Sequence, residues 1–90
     1  MPRQQVTIRN ELGLHARAAT RLVECANQFA SEVWLSHAQR RVDGKSILGL
    51  LTLAAGPGME VEIETRGSDA REALQALREL IDSGFGEPES

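Results

Sequence analysis

Hydrophobic and polar residues alternate in four short stretches of the chain. In "QQVTIRN", Val6 and Ile8 fall on one face and Gln5, Thr7 and Arg9 on the other, the period of a half-buried strand. "SEVWLSH" sets Val33 and Leu35 against Glu32, Trp34 and Ser36. "QRRVDG" is its short companion, joined through "SHAQ", which reads as a hairpin turn with His37 solvated in it. "MEVEIET" is the clearest strand, with Val61 and Ile63 on one side and Glu60, Glu62 and Glu64 on the other. Between these stretches the period becomes helical. Ala19, Leu22, Val23, Ala26 and Ala30 predict a helix over 16–28, after a loop from Asn10 to Leu14 that contains Gly13. Ser46 is an N-cap for a short helix over 47–53, which "GPG" ends. Ser68 or Asp69 caps a last helix with the stripe Ala70, Ala73, Leu74, Leu77 and Ile81, and Gly84 ends it. The closing "FGEPES" reads as a polar, frayed tail.

The resulting order, β-α-β-β-α-β-α, predicts an α+β fold. Four strands with one apolar face each make an antiparallel sheet; the three helices pack on that face, and the glutamate-bearing face stays wet. This is an open-faced two-layer sandwich, and residues 1–90 form a single domain.

With 41% hydrophobic residues the chain can fill a core. Phe29, Trp34 and Phe85 are its only aromatics, so that core is aliphatic. A net charge of −3 removes nucleic acid from the candidate partners, because no basic excess exists to neutralise phosphates. Cys25 is the single cysteine, read as a small buried or half-buried hydrophobe; it forms no internal disulfide and points to a reducing compartment. The longest apolar run is too short to span a bilayer, and the N-terminus lacks a signal-peptide pattern. The expectation is a cytoplasmic, monomeric protein that binds no membrane.

The chemistry concentrates at the start of the first helix. "LGLHARAAT" places His15 at the cap position, where Ser, Thr, Asp or Asn is the usual choice. A helix N-terminus carries free N–H groups and a partial positive charge, a natural cradle for phosphate. Arg17 adds a fixed cation with forked donors. Nucleophile, anion cradle and cation together are the equipment for carrying a phosphoryl group on a ring nitrogen. Metal binding fails on spacing, since His15, Cys25 and His37 form no ligand set, and no cofactor is implied. "GPG" and "DGKS" fall short of a nucleotide-binding loop.

"GLHARAAT" followed by "VDGKSILGLLTLAAGPG" closely resembles the HPr family, the histidine-containing phosphocarriers of the phosphoenolpyruvate-dependent phosphotransferase system. The resemblance runs from Val6 to about Phe85. It implies that His15 is phosphorylated on Nδ1 by enzyme I, that Arg17 steadies the phosphoryl group, and that an enzyme IIA protein or domain accepts it. Such a protein is a stoichiometric carrier, not an enzyme. Ser46 matches the regulatory phosphorylation site of many members, which brings in HPr kinase/phosphorylase as a partner. By the same resemblance Leu14, Ala16, Thr20, Arg21, Ile47, Leu48 and Leu51 face partners, while Leu50 and Leu53 belong to the core. Ala18 stands where much of the family has proline. Together with the closing "SGFGEPES" it resembles the nitrogen-related NPr branch, in which the protein would act mainly as a regulatory binding module. A stand-alone enzyme with His15 as general acid–base is the remaining rival, and no paired carboxylate or second nucleophile motif supports it.

Overall fold

The computed structural model describes residues 2–87; the last three residues of the expected tail lie outside them. Seven elements follow in the order read from the sequence: β1 (Arg3–Thr7), α1 (Ala16–Ala26), β2 (Glu32–His37), β3 (Arg40–Asp43), α2 (Ile47–Leu53), β4 (Glu60–Arg66) and α3 (Ala70–Asp82). The strands form one sheet in the order β1-β4-β2-β3, every neighbouring pair antiparallel. Register puts Val61 opposite Val6, and Ile63 opposite Leu35, which in turn faces Val42. Those residues make the inner face. Over it α3 packs on β4 and β1, α2 packs on β3 and β2, and α1 packs against both other helices. Leu22, Leu50, Leu77, Ile81, Ile8 and Phe85 are fully buried within a single aliphatic core.

The buried face of α1 is Ala18, Ala19, Leu22 and Ala26. Val23 is only half-buried and Ala30 is exposed, so the sequence stripe was set slightly off the true face. The helix also stops at Ala26, two residues early. There Gln28 N–H and Phe29 N–H donate to Cys25 O and Ala26 O, tightening the last turn to three-residue bonds. His37 is half-buried at the end of β2, not loose in a turn; its Nδ1 lies 3.0 Å from the Glu60 carbonyl oxygen and donates to it.

The outer face of the sheet is not uniformly wet. Glu64, on a central strand, is 6% exposed. Arg41 reaches it at 3.4 Å from one side and Arg3 at 3.9 Å from the other. Trp34 stands opposite Glu64 in register and carries the Arg41 guanidinium 4.4 Å above its ring. Strand order assembles this cover from three different segments, and the buried carboxylate is thereby paired.

Asp69 occupies the N-cap position of α3 but does not cap it. Its carboxylate turns to the α1–β2 connection, accepting from the Ser31 hydroxyl and from the N–H groups of Ser31 and Ala30, each at 2.9 Å. The Ser31 hydroxyl first, and the Ala30 N–H next, hold the Asp69 carboxyl below the usual carboxylate range. A depressed folded-state pKa means that this contribution is present above the ordinary carboxylate pKa and is lost as pH falls through the folded value. Asp69→Asn is therefore expected to lower stability near neutral pH. It should also reduce the stability lost on acidification below about pH 4. Urea unfolding at neutral and acid pH checks both; equal pH dependence in wild type and variant would contradict the assignment.

Candidate functional site

The loop before α1 is seated by close backbone contact. Gly13 has φ +64°, and a Cβ there would lie 2.6 Å from Ala55 O and 2.9 Å from Gly56 Cα. The next residue, Leu14, donates its N–H to Ala55 O at 2.9 Å. The start of α1 is thus locked against the segment that leaves α2. Leu14 is 5% exposed and belongs to the core, so it does not share the surface with the other expected docking residues. Gly13→Ala is expected to destabilise the protein by about 2–3 kcal/mol, through the clash and the left-handed backbone. Chemical denaturation measures this, and a loss under about 0.5 kcal/mol would show that the loop yields freely.

His15 then answers why an imidazole stands at the cap. Its Nδ1 accepts the Arg17 backbone N–H at 3.2 Å, the role normally given to a serine or aspartate oxygen. The ring itself is the cap, and its Nδ1 faces the positive end of the helix. No acidic residue occupies the first turn of α1 to neutralise that end. Arg17 is exposed, free of the core and adjacent to the ring along the chain.

The other ring nitrogen meets a residue that the sequence reading missed. His15 Nε2 lies 2.5 Å from Glu87 Oε2, with the side chains 26% and 15% exposed. The second oxygen of Glu87 accepts from Asn10 Nδ2 at 2.8 Å, and the same amide group donates to Gly13 O at 2.7 Å. The expected frayed tail is in fact packed as far as Glu87. Gly84, Phe85 and Gly86 all have positive φ, which turns the chain back after α3. Phe85 is 1% exposed, and Arg21 donates to its carbonyl oxygen. Burial by itself would push the Glu87 carboxyl up. Hydrogen bonds from Asn10 and His15, with the charges of His15 and Arg21, outweigh it and hold the group below the usual carboxylate range. The only signal for this in the sequence is an aromatic residue between two glycines in an otherwise polar tail.

Ser46 caps α2 as read: its Oγ accepts the Gly49 N–H at 3.0 Å, an interaction typically worth about 1 kcal/mol. Leu50 and Leu53 are buried, while Ile47, Leu48 and Leu51 are exposed, Leu48 most of all at 76%. Leu12 and Met59 add two exposed apolar side chains that the pattern did not single out. Ala16 is exposed; Thr20 and Arg21 are half-buried, Thr20 donating its hydroxyl to Ala16 O at 2.8 Å. Burial pushes the Cys25 thiol up, away from reactive thiolate character. Among the described residues no helix is long and apolar enough to cross a membrane.

Comparison with known proteins identifies the family. Residues 2–83 match the family model described as the PTS HPr component phosphorylation site. Phosphocarrier protein HPr of Neisseria meningitidis is 51% identical over 89 residues, covering 99% of this chain and 100% of the relative. Phosphocarrier protein NPr of Shewanella violacea is 43% identical over 84 residues, covering 93% and 92%. A crystal structure of HPr from Thermoanaerobacter tengcongensis superposes with a TM-score of 0.94 at 39% identity, covering 98% of this chain and 99% of the other. Sequence and fold together place the chain in the HPr family of phosphocarriers of the phosphotransferase system.

Proposed function

We propose that His15 accepts a phosphoryl group on Nδ1 from phospho-enzyme I and passes it to a histidine of an enzyme IIA protein or domain. The observation that carries this reading is the hydrogen bond from Arg17 N–H to His15 Nδ1. It aims the lone pair of one ring nitrogen at the N–H groups that a helix start leaves without intrahelical partners. As Nδ1 bonds to phosphorus, the Arg17 N–H passes from the ring nitrogen to a phosphoryl oxygen, and the first turn of α1 takes up the negative charge. Ala18, unlike proline, keeps its N–H for the same cradle. The Arg17 side chain supplies a movable cation to the exposed side of the group.

The protein acts in the cytoplasm as a monomer, as reactant and product of its partners and not as a catalyst. Docking falls on the apolar surface of Ile47, Leu48 and Leu51 with Ala16, Thr20 and Arg21 beside His15. Such a small surface suits a shuttle that must leave each partner quickly. Ser46 lies at the start of that docking helix. A phosphate there would suit the helix terminus while setting negative charge beside the partner surface, a regulatory use through HPr kinase/phosphorylase.

Incubation with phosphoenolpyruvate and enzyme I tests the reading. The expected product carries one acid-labile phosphate, assigned to His15 by fragmentation mass spectrometry and to Nδ1 by phosphorus NMR. No labelling with several enzyme I preparations would leave the protein as a regulatory binding module.

A further inference from the structure

The carboxylate on His15 Nε2 has a consequence for the chemistry on Nδ1. We propose that Glu87 is a positioning residue for His15: it holds the ring with its hydrogen on Nε2, leaves Nδ1 as the attacking nitrogen, and stabilises the positive charge that the ring gains on phosphorylation. This rests on the carrier reading above.

Two hydrogen bonds from opposite sides of the ring agree on one tautomer. Nδ1 accepts from Arg17 N–H, so it carries a lone pair. Nε2 faces a carboxylate oxygen at 2.5 Å, so it carries the hydrogen. In a neutral imidazole the bond made by one nitrogen fixes the role of the other. A half-buried carboxylate against imidazole N–H orients the ring and stabilises imidazolium, the division of labour of the aspartate in a serine-protease triad.

The tail is built to deliver this group. Asn10 is buried and uses its amide N–H groups to tie Glu87 to the His15 loop through Gly13 O. Arg21, one turn into α1, holds the Phe85 carbonyl. Phe85 accepts a left-handed conformation, φ +60°, which is unfavourable for a side chain with a Cβ. Its buried ring and the bond from its N–H to Leu80 O at 2.9 Å offset that strain. Gly84 and Gly86 on either side take φ +70°. A strained turn that returns a carboxylate to the reacting histidine is the pattern expected of a supported site.

The step balances without moving a proton. The Nδ1 lone pair of His15 forms a bond to phosphorus as the N–P bond of the donor phosphohistidine breaks. That electron pair stays on the donor ring. His15 gains a positive charge, its Nε2–H remains in place against Glu87, and the donor ring becomes neutral. Onward transfer reverses these events.

The test uses the full chain and Glu87→Gln, which keeps length and removes charge, with Glu87→Ala. Proton–nitrogen NMR of the unphosphorylated protein should show an exchange-protected Nε2–H resonance on His15 that disappears in Glu87→Ala. In rapid-quench transfer from phospho-enzyme I, the first-order rate should fall about 10-fold or more in Glu87→Gln, as for other carboxylate partners of histidine. The enzyme I concentration for half-maximal rate and the unfolding midpoint should stay near wild type. Wild-type transfer rates in both variants, or no protected Nε2–H in the wild type, would overturn the proposal. An unlabelled wild type would instead overturn the carrier reading, while the NMR resonance would still report the contact.

Discussion

His15→Ala is expected to accept no acid-labile phosphate from enzyme I, a complete loss, while keeping the fold. The substitution removes the only side chain at the start of α1 with a nucleophilic lone pair. It also removes a cap, since His15 Nδ1 satisfies the Arg17 N–H. Loss of a capping side chain typically costs about 0.5–2 kcal/mol. The ring is 26% exposed, so no large cavity opens beneath it. A drop of about 1 kcal/mol is therefore expected alongside the total loss of labelling. His15→Asn separates the two roles. Its Oδ1 can accept the Arg17 N–H as a usual cap does, so stability should return to within about 0.5 kcal/mol of wild type, with labelling still absent. Urea unfolding and intact-mass analysis after phosphoenzyme treatment measure both quantities. Full labelling of either variant would move the acceptor to another residue, and collapse of both folds would show the ring to be structural.

Much of this site was legible because its parts are local. His15 and Arg17 stand two residues apart, and Ser46 reaches only to Gly49. The strands announced themselves through pairs such as Val61 and Ile63, whose alternation survives any context with one buried face. The relationship to the HPr family was carried by two contiguous motifs and needed no tertiary information.

What escaped depends on contacts between distant segments. Glu87 meets His15 across 72 residues, and a tail rich in Gly, Glu, Ser and Pro reads as solvent-facing in isolation. Glu64 alternates like Glu60 and Glu62. It is buried only because the strand order β1-β4-β2-β3 sets it between strands that bring Arg3, Trp34 and Arg41 over it. Asp69 is a good cap by type, but Ser31 and Ala30 compete for its carboxylate across 38 and 39 residues. Family resemblance puts Leu14 on the docking surface beside His15, but the side chain is buried. The N–H that ties it to Ala55 O turns the side chain into the core.

Phe85→Ala is expected to be the most destabilising change at the site's support. A fully buried phenylalanine cut to alanine typically costs about 3–5 kcal/mol. In a domain of this size that is a large share of the whole, and a fall in melting temperature of more than about 12 °C follows. The positive φ adds to the effect. Alanine keeps the strain of the left-handed backbone but loses the packing that offset it, so the turn between Gly84 and Gly86 no longer holds. If the tail peels away instead of leaving a cavity, the loss is smaller, but the Glu87 contact with His15 goes with it. Phe85→Leu fills most of the space and should lose about 1 kcal/mol while retaining the contact. Thermal unfolding ranks the three proteins, and the His15 Nε2–H resonance reports whether Glu87 is still in place. A Phe85→Ala protein with both wild-type stability and the resonance intact would mean that the ring anchors nothing. The structure instead couples the two: the same aromatic side chain that completes the core sits two residues before the carboxylate that meets the His15 ring.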